Sequence, residues 1–446
     1  MTTTPAERTA LPDETWAAAV TDTVSSWREM FDKRTAGRDV LAGISTAMVA
    51  LPLNVALALA CGLSPAVGLV TGAVAGVISA LLGSARLQVT GPEVALAPLT
   101  YVIVAEHGVG GLLTATFLAG LLQIGFGVLR VGRFVKAIPA PVIGGFMAAI
   151  GLLVFNSQLP RFIGLDGVRV LTDLRSTSAL ASVGLGTVAI GAAAVLALLV
   201  LPKVKKSVPA PLVAMGIGVI VVLAGVKTPT LSAIESIAPS VGLPRFETAH
   251  LSSLVPEAVA LALLASLDSL LCAAGMEVRT GGPRVRTDQE LVAQGIANMA
   301  SACVGGMPVA AAIVRSVAAH EAGAVTRLAP LVQSIVLALV LVVLAPVLPL
   351  VPIAALAGIL LVVGYRLLDW RSLASVYAAS RAEALIFVAT AVAILATDFV
   401  KGVAAGVLLA VIDFARRSAK IHVFARRARM SAVRGGATGA GLDLTH

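Results

Sequence analysis

Of 446 residues, 58% are hydrophobic and only 13% charged, and the mean hydropathy is +0.96. So little polar surface cannot cover a soluble globule of this length, which leaves a polytopic membrane protein. The net charge of +9 would suit a nucleic-acid partner, but the Lys and Arg side chains are distributed by membrane topology, so no nucleic acid is expected.

Residues 1–37 hold no apolar core ahead of a cleavage site, so they are not a signal peptide but a cytoplasmic lead-in, with an amphipathic helix expected from about Trp16 to Phe31. Apolar spans follow at about 40–60, 64–82, 89–105, 110–129, 138–157, 180–201, 208–226, 253–275, 289–304, 309–319, 328–345, 348–365, 382–397 and 399–415. Arg28, Lys33, Arg34 and Arg38 precede the first span, and Arg86, Arg130, Lys203, Arg284, Arg286, Arg327 and Arg366 lie in alternate connections. Arg416, Arg417 and Lys420 follow the last. Excess Lys and Arg mark the cytoplasmic side, so both termini are expected in the cytoplasm of a multi-pass inner (plasma) membrane protein, with an even number of crossings. Fourteen fits. On the opposite side Arg161, Arg169 and Arg175 are exceptions to the bias. The organisation expected is a transporter domain over 38–415, with repeat one at about 38–226 and repeat two at about 253–415, then a basic and Gly-rich tail over 416–446.

Two spans are broken at corresponding places in the halves, near Gln88-Val89-Thr90-Gly91-Pro92-Glu93 and near Gly305-Gly306-Met307-Pro308. A helical crossing needs about 20 residues, and Val309 to Ala319 supplies barely half that. Non-helical backbone at membrane depth is tolerated only where protein or a water-filled cavity surrounds it, and paired broken spans are the best sequence pointer to a carrier site. An inverted seven-plus-seven repeat would bring the third and tenth spans face to face, each aiming a helix N-terminus, about +0.5 charge, at one volume that favours an anion.

These residues also carry a resemblance. Gly37-Arg38-Asp39-Val40-Leu41-Ala42-Gly43, Leu51-Pro52, Gly62-Leu63-Ser64-Pro65, Gly83-Ser84 and Val89-Thr90-Gly91-Pro92 look like the first third of the SulP family of sulfate-permease-type anion transporters. The run Glu290 to Asn298, then Gly305-Gly306-Met307-Pro308, Arg315-Ser316, and Pro352 to Leu360 resemble its ninth, tenth and twelfth spans. The resemblance implies an all-α fold of fourteen spans in two inverted repeats, core and gate subdomains, a homodimer in the lipid bilayer, and transport of bicarbonate, sulfate, chloride or carboxylates. Val49-Ala50-Leu51-Pro52-Leu53 and Ile313-Val314-Arg315-Ser316 resemble most the bacterial bicarbonate-type branch. The chain departs from the pattern in four ways: no cytoplasmic STAS domain is expected in the thirty or so residues after the last span, Leu53 and Leu57 stand where many relatives have Gln and Tyr, Val67 and Val70 replace Tyr, and Ala310-Ala311 replaces a Thr-Gly.

The substrate-binding residues expected from the breaks and the resemblance are Thr90, Gly91, Pro92 and Glu93 in the third span and Ala310, Ala311, Ala312 and Arg315 in the tenth. Contacts from Ala310 and Ala311 would be backbone amides alone. The resemblance gives Arg315 the role of positive potential at the anion, with snorkelling or a structural pair with Asp268 as the alternative. A charge inside the membrane costs several kcal/mol unless paired or hydrated. Asp268 matches a sodium-binding position of the bicarbonate branch, but the accompanying Thr reads Cys272 and the tenth-span hydroxyl position reads Ile313, so two hard oxygen ligands are missing. Glu93 at a helix start is either a cap or a candidate coupling proton site, because an ionised carboxylate beside a bound anion would repel it.

Cys61, Cys272 and Cys303 lie far apart in apolar stretches and read as small buried hydrophobes. His107, His250, His320, His422 and His446 show no metal-ligand spacing, no nucleophile–base set can be assembled, and a phosphate-binding Gly-x4-Gly-Lys loop is missing. No enzyme, cofactor or metal is expected. Other readings left open are a proton-coupled nucleobase-type permease of the same architecture and a passive anion channel.

Overall fold

The computed structural model describes residues 16–132, 139–165, 183–204, 208–231, 251–282, 284–343, 346–368, 374, 377, 378, 380–397 and 401–416. Arg169, Arg175 and the tail beyond 416 lie outside the described residues. The helices are α1 (Trp16–Glu29), α2 (Ala36–Ala60), α3 (Pro65–Leu82), α4 (Ala97–Val128), α5 (Ala140–Ile163), α6 (Leu185–Val204) and α7 (Ala210–Leu223). They continue as α8 (Leu251–Thr280), α9 (Thr287–Cys303), α10 (Ile313–Glu321), α11 (Leu328–Val343), α12 (Ile353–Leu367), α13 (Arg381–Ala396) and α14 (401–416). Long apolar stretches rich in Ala, Leu and Val satisfy their backbone within the helix, the only open-chain solution in lipid.

Every expected span falls on a helix once α4 is counted twice. Gly108 interrupts α4 with φ 67, a positive-φ conformation that glycine adopts without a Cβ clash, so the helix is kinked there between the third and fourth spans. The boundaries of the two broken spans differ from expectation. Instead of starting helices at about 89 and 309, Thr90–Pro92 forms β1 and Val309–Ala311 forms β2, and the two pair antiparallel with Thr90 opposite Ala311, Gly91 opposite Ala310 and Pro92 opposite Val309. The helices begin only at Ala97 and Ile313. Gly91 and Pro92 are therefore not helix starts but strand residues. Each break supplies hydrogen-bond partners for the other, which is how extended backbone survives at this depth.

The described chain divides into two compact units, one of residues 1–137 and 150–368 and one of 138–149 and 369–446. In the first, Gly68, Gly72 and Gly76 lie four apart along α3. A Cβ there would stand 2.1 Å from the Asn54 carbonyl oxygen, 2.2 Å from Asn54 Nδ2 and 2.1 Å from Ser334 Oγ, so this face admits the backbone of α2 at Gly68 and the side chains of Asn54 and Ser334 at Gly72 and Gly76. Helices of the two halves are thus interleaved rather than stacked. The amphipathic α1 docks on the same unit: Trp27 Nε1 donates to Leu81 O at 2.9 Å, Gln289 Nε2 to Thr23 Oγ1 at 2.7 Å and Arg327 Nε to Ser26 Oγ at 2.7 Å. This places α1 where α3 ends and where α9 and α11 begin, so α2 and the first segment of α4 run away from it. Buried Asp39 closes the α10–α11 turn, accepting from Val325 N and Thr326 Oγ1, both at 2.7 Å. In the second unit Gly144 and Gly145 pack on Phe387, and Val142, Ile386 and Ala410 form a small core.

Candidate functional site

The two breaks are suspended from one polar face of α9. Glu290, Gln294, Asn298 and Ser301 follow each other at helical spacing and are buried. Ser84 N and Ala85 N donate to Glu290 Oε2 at 2.7 and 3.0 Å, and Gln88 Nε2 donates to Oε1 at 3.0 Å. Gln294 Nε2 lies 2.8 Å from Thr90 Oγ1, which itself donates to Ser79 Oγ at 2.7 Å. Asn298 treats β2 as a strand neighbour would, receiving Val309 N at 2.9 Å and donating to Val309 O at 3.0 Å. Ser301 Oγ donates to Met307 O at 2.7 Å, and Thr71 Oγ1 receives Met307 N at 2.9 Å. A membrane core offers no water to these groups, so each buried donor requires such a partner.

β1 and β2 carry the chain to the start of α10, where Arg315 occupies the first turn. Its side chain is 2% exposed. Nη1 donates to Asn54 Oδ1 at 2.9 Å, and Nη2 donates to Pro92 O at 2.6 Å and to Glu93 Oε2 at 3.2 Å. Gly91 leaves room for the guanidinium, since a Cβ there would stand 2.7 Å from Nη1. We expect Gly91→Ala to displace Arg315 without unfolding the protein, because the methyl meets the end of a side chain and not backbone. A drop of about tenfold or more in anion affinity with an unchanged elution profile on size exclusion is the expected result. Unaltered affinity would show that Arg315 adjusts freely.

The expected site residues divide in position. Gly91, Pro92, Glu93 and Arg315 come together. The Thr90 hydroxyl is turned into the α9 network instead, and Ala310 lies within β2. The amide hydrogens of Ala311 and Ala312 are taken by Ser269 Oγ at 3.1 Å and Val89 O at 3.0 Å. The partner of Arg315 is Glu93 and not Asp268. Asp268, on α8, has a buried Oδ2 with no hydrogen-bond partner among the described residues. Beside it Cys272 Sγ lies 3.4 Å from Ser316 Oγ, while Ile313 is 42% exposed and a Cβ at Gly275 of α8 would stand 3.0 Å from its Cδ1. Asn54, Glu290, Gln294 and Asn298 were not singled out from the sequence as site residues. Their signal is polar residues at every third or fourth position of apolar helices. His107, isolated by spacing, lies 3.4 Å from Glu257, with Glu106 adjoining, because the bend at Gly108 brings the end of one span against the start of α8.

A helical membrane domain in which two interrupted spans meet around a buried, hydrogen-bonded cation is a carrier fold of the broken-helix kind. The profile of the sulfate permease family matches residues 37–390, and the chain belongs to that family. It is 34% identical over 399 residues to YvdB of Bacillus subtilis, a protein named for sulfate transport, covering 86% of this chain and 75% of that one. It is 29% identical over 394 residues to the bicarbonate transporter BicA of Picosynechococcus, covering 83% of this chain and 69% of the relative. The solved transmembrane domain of a cyanobacterial BicA superposes with a TM-score of 0.74 at 28% identity, covering 85% of this chain and 98% of that chain. The murine Solute Carrier 26 family member A9 anion transporter, inward-facing, shares the fold with a TM-score of 0.82 at 17% identity, over 92% of this chain and 73% of the other. As a member of this family the chain is a multi-pass anion transporter and not an enzyme.

Proposed function

We propose that the protein is a secondary active carrier of a small inorganic oxyanion, with monovalent bicarbonate the preferred cargo, working by alternating access in the plasma membrane with both termini in the cytoplasm. The Arg315–Glu93 pair supports this reading best. With Glu93 ionised, the guanidinium is neutralised by a tethered carboxylate that competes with any incoming anion. With Glu93 protonated, one positive charge faces the two helix starts, which suits a monovalent anion better than sulfate. Proton and anion binding are then linked reciprocally. Sodium coupling through Asp268 has less support, since Cys272 and Ile313 supply no oxygen ligand. The functional form is a dimer joined through membrane spans.

The sign of the pH dependence follows. Acid favours protonated Glu93 and tighter anion binding, and alkali favours the internal pair and weaker binding. Glu93→Gln should bind anion at every pH with the affinity that the parent shows only under acid. The test is uptake into proteoliposomes with and without imposed pH and sodium gradients, using bicarbonate, sulfate, chloride and uracil. Uptake that follows the sodium gradient at fixed pH, with Glu93→Gln indistinguishable from the parent, defeats the proton proposal. Uracil uptake would indicate a nucleobase permease, and non-saturating flux a channel.

A further inference from the structure

Arg161 breaks the charge bias of the loops, and its surroundings give a reason. A cavity of about 140 Å³ lies between α2, α4, α5 and α12. From α2 and α4 it is lined by Leu57, Pro98 and Tyr101, and from the last two turns of α5 by Asn156, Ser157, Gln158 and Arg161. Leu57 is one turn beyond Asn54, which holds Arg315, and Pro98 begins the helix that follows Glu93. The cavity therefore lies one helical turn from the Arg315–Glu93 pair, on the side away from α1.

Its chemistry is one-signed. The described residues that line it supply one guanidinium, two carboxamides and two hydroxyls, and among them there is no carboxylate. We propose that this cavity is an anion anteroom on the membrane face opposite α1, with Arg161 as the charge that draws a small oxyanion in before it passes to Arg315. The proposal rests on the anion-carrier reading above and adds an entry site to it. A like-signed, low-dielectric recess concentrates counter-ions and raises their on-rate by about 10- to 1,000-fold. The competing account is a cation that complements the C-terminal dipole of α5 and has no traffic with anions.

The test reads the cavity by thiol chemistry, so it does not depend on transport. Ser157→Cys is placed in the full chain in proteoliposomes, and reaction of Cys61, Cys272 and Cys303 is measured on the parent and subtracted. Membrane-impermeant thiosulfonates of negative and positive charge are added from the face opposite α1. The anionic reagent should react about tenfold faster than the cationic one. Arg161→Gln should abolish that preference, Arg161→Lys should keep it, and saturating bicarbonate should slow the anionic reaction. If Arg161→Gln does not reach the membrane, Gln158→Glu puts a carboxylate beside Arg161 in the same cavity, cancels its charge and should abolish the preference. A thiol at 157 that is unreactive from that face, equal rates for both reagents, or a preference that survives Arg161→Gln overturns the anteroom. Absence of anion flux in the parent would instead count against the carrier reading, so the two failures are distinguishable.

Discussion

Arg315→Ala should lose saturable anion binding by about a hundredfold or more and should also melt earlier than the parent. Both effects come from one geometry. The guanidinium is held by Asn54, the Pro92 carbonyl and Glu93, and deleting it leaves the Glu93 carboxylate, 17% exposed, without its cation. Removing one member of a buried ion pair typically costs about 3–5 kcal/mol, because the other charge is left uncompensated. Adding Glu93→Gln to Arg315→Ala should therefore restore most of the lost thermal stability and none of the anion binding. The double-mutant cycle separates the structural role of the pair from its role toward substrate. If the single and double variants melt together, the Glu93 carboxylate has water or another partner, and the competition between it and the anion is not the coupling device.

The second large effect is expected at a residue that never meets the substrate. Glu290→Ala removes the acceptor for Ser84 N, which is half-buried, and for Ala85 N and Gln88 Nε2, which are buried, all between α3 and β1. Each orphaned donor costs about 1–3 kcal/mol, so a total of several kcal/mol should leave little folded protein in detergent at ordinary temperature. Glu290→Gln keeps the shape and one carbonyl acceptor and should fold with reduced stability. Its amide would also face Gln88 and Gln294, two donors, so partial rescue by Gln88→Glu is expected. Thermal unfolding of the three proteins followed by tryptophan or tyrosine fluorescence decides this. A Glu290→Ala chain as stable as the parent would mean that the Ser84–Ala85 turn finds other acceptors.

The arrangement of spans was legible in the sequence because lipid imposes one rule on every crossing, and the apolar runs obey it from Ala36 to Phe414. The position of the interruptions was legible too, since Gly91-Pro92 and Gly305-Gly306-Met307-Pro308 set proline close to glycine, a combination that disfavours helix more than the lone Pro52 inside α2 does. Their conformation was less so. Whether Thr90–Pro92 begins a helix or pairs as a strand depends on a partner at Val309–Ala311 that no local pattern names. For the same reason the choice between Asp268 and Glu93 as the companion of Arg315 could not be made by spacing: Glu93 lies 222 positions away in the chain. The polar face of α9 was in view throughout as Glu290, Gln294 and Asn298, but a hydrophobicity count treats such residues as dilution of an apolar helix. Only the hydrogen bonds show that they fasten both breaks. Arg161 was visible as a misplaced charge, and the cavity that it lines became visible only when α2, α4 and α5 were assembled.

The pairing of β1 with β2 also has a consequence for biosynthesis. Thr90 leaves the ribosome about 220 residues before Ala311, its partner. At about 5–20 residues per second, the first interrupted span must wait on the order of ten seconds or more with its extended backbone unpaired. Such a segment cannot be released into lipid alone, so it should stay beside the insertion machinery until the second half is made. Chains truncated before Val309 should be recovered bound to that machinery or degraded, and co-expression of the missing half as a separate polypeptide should release them into the bilayer.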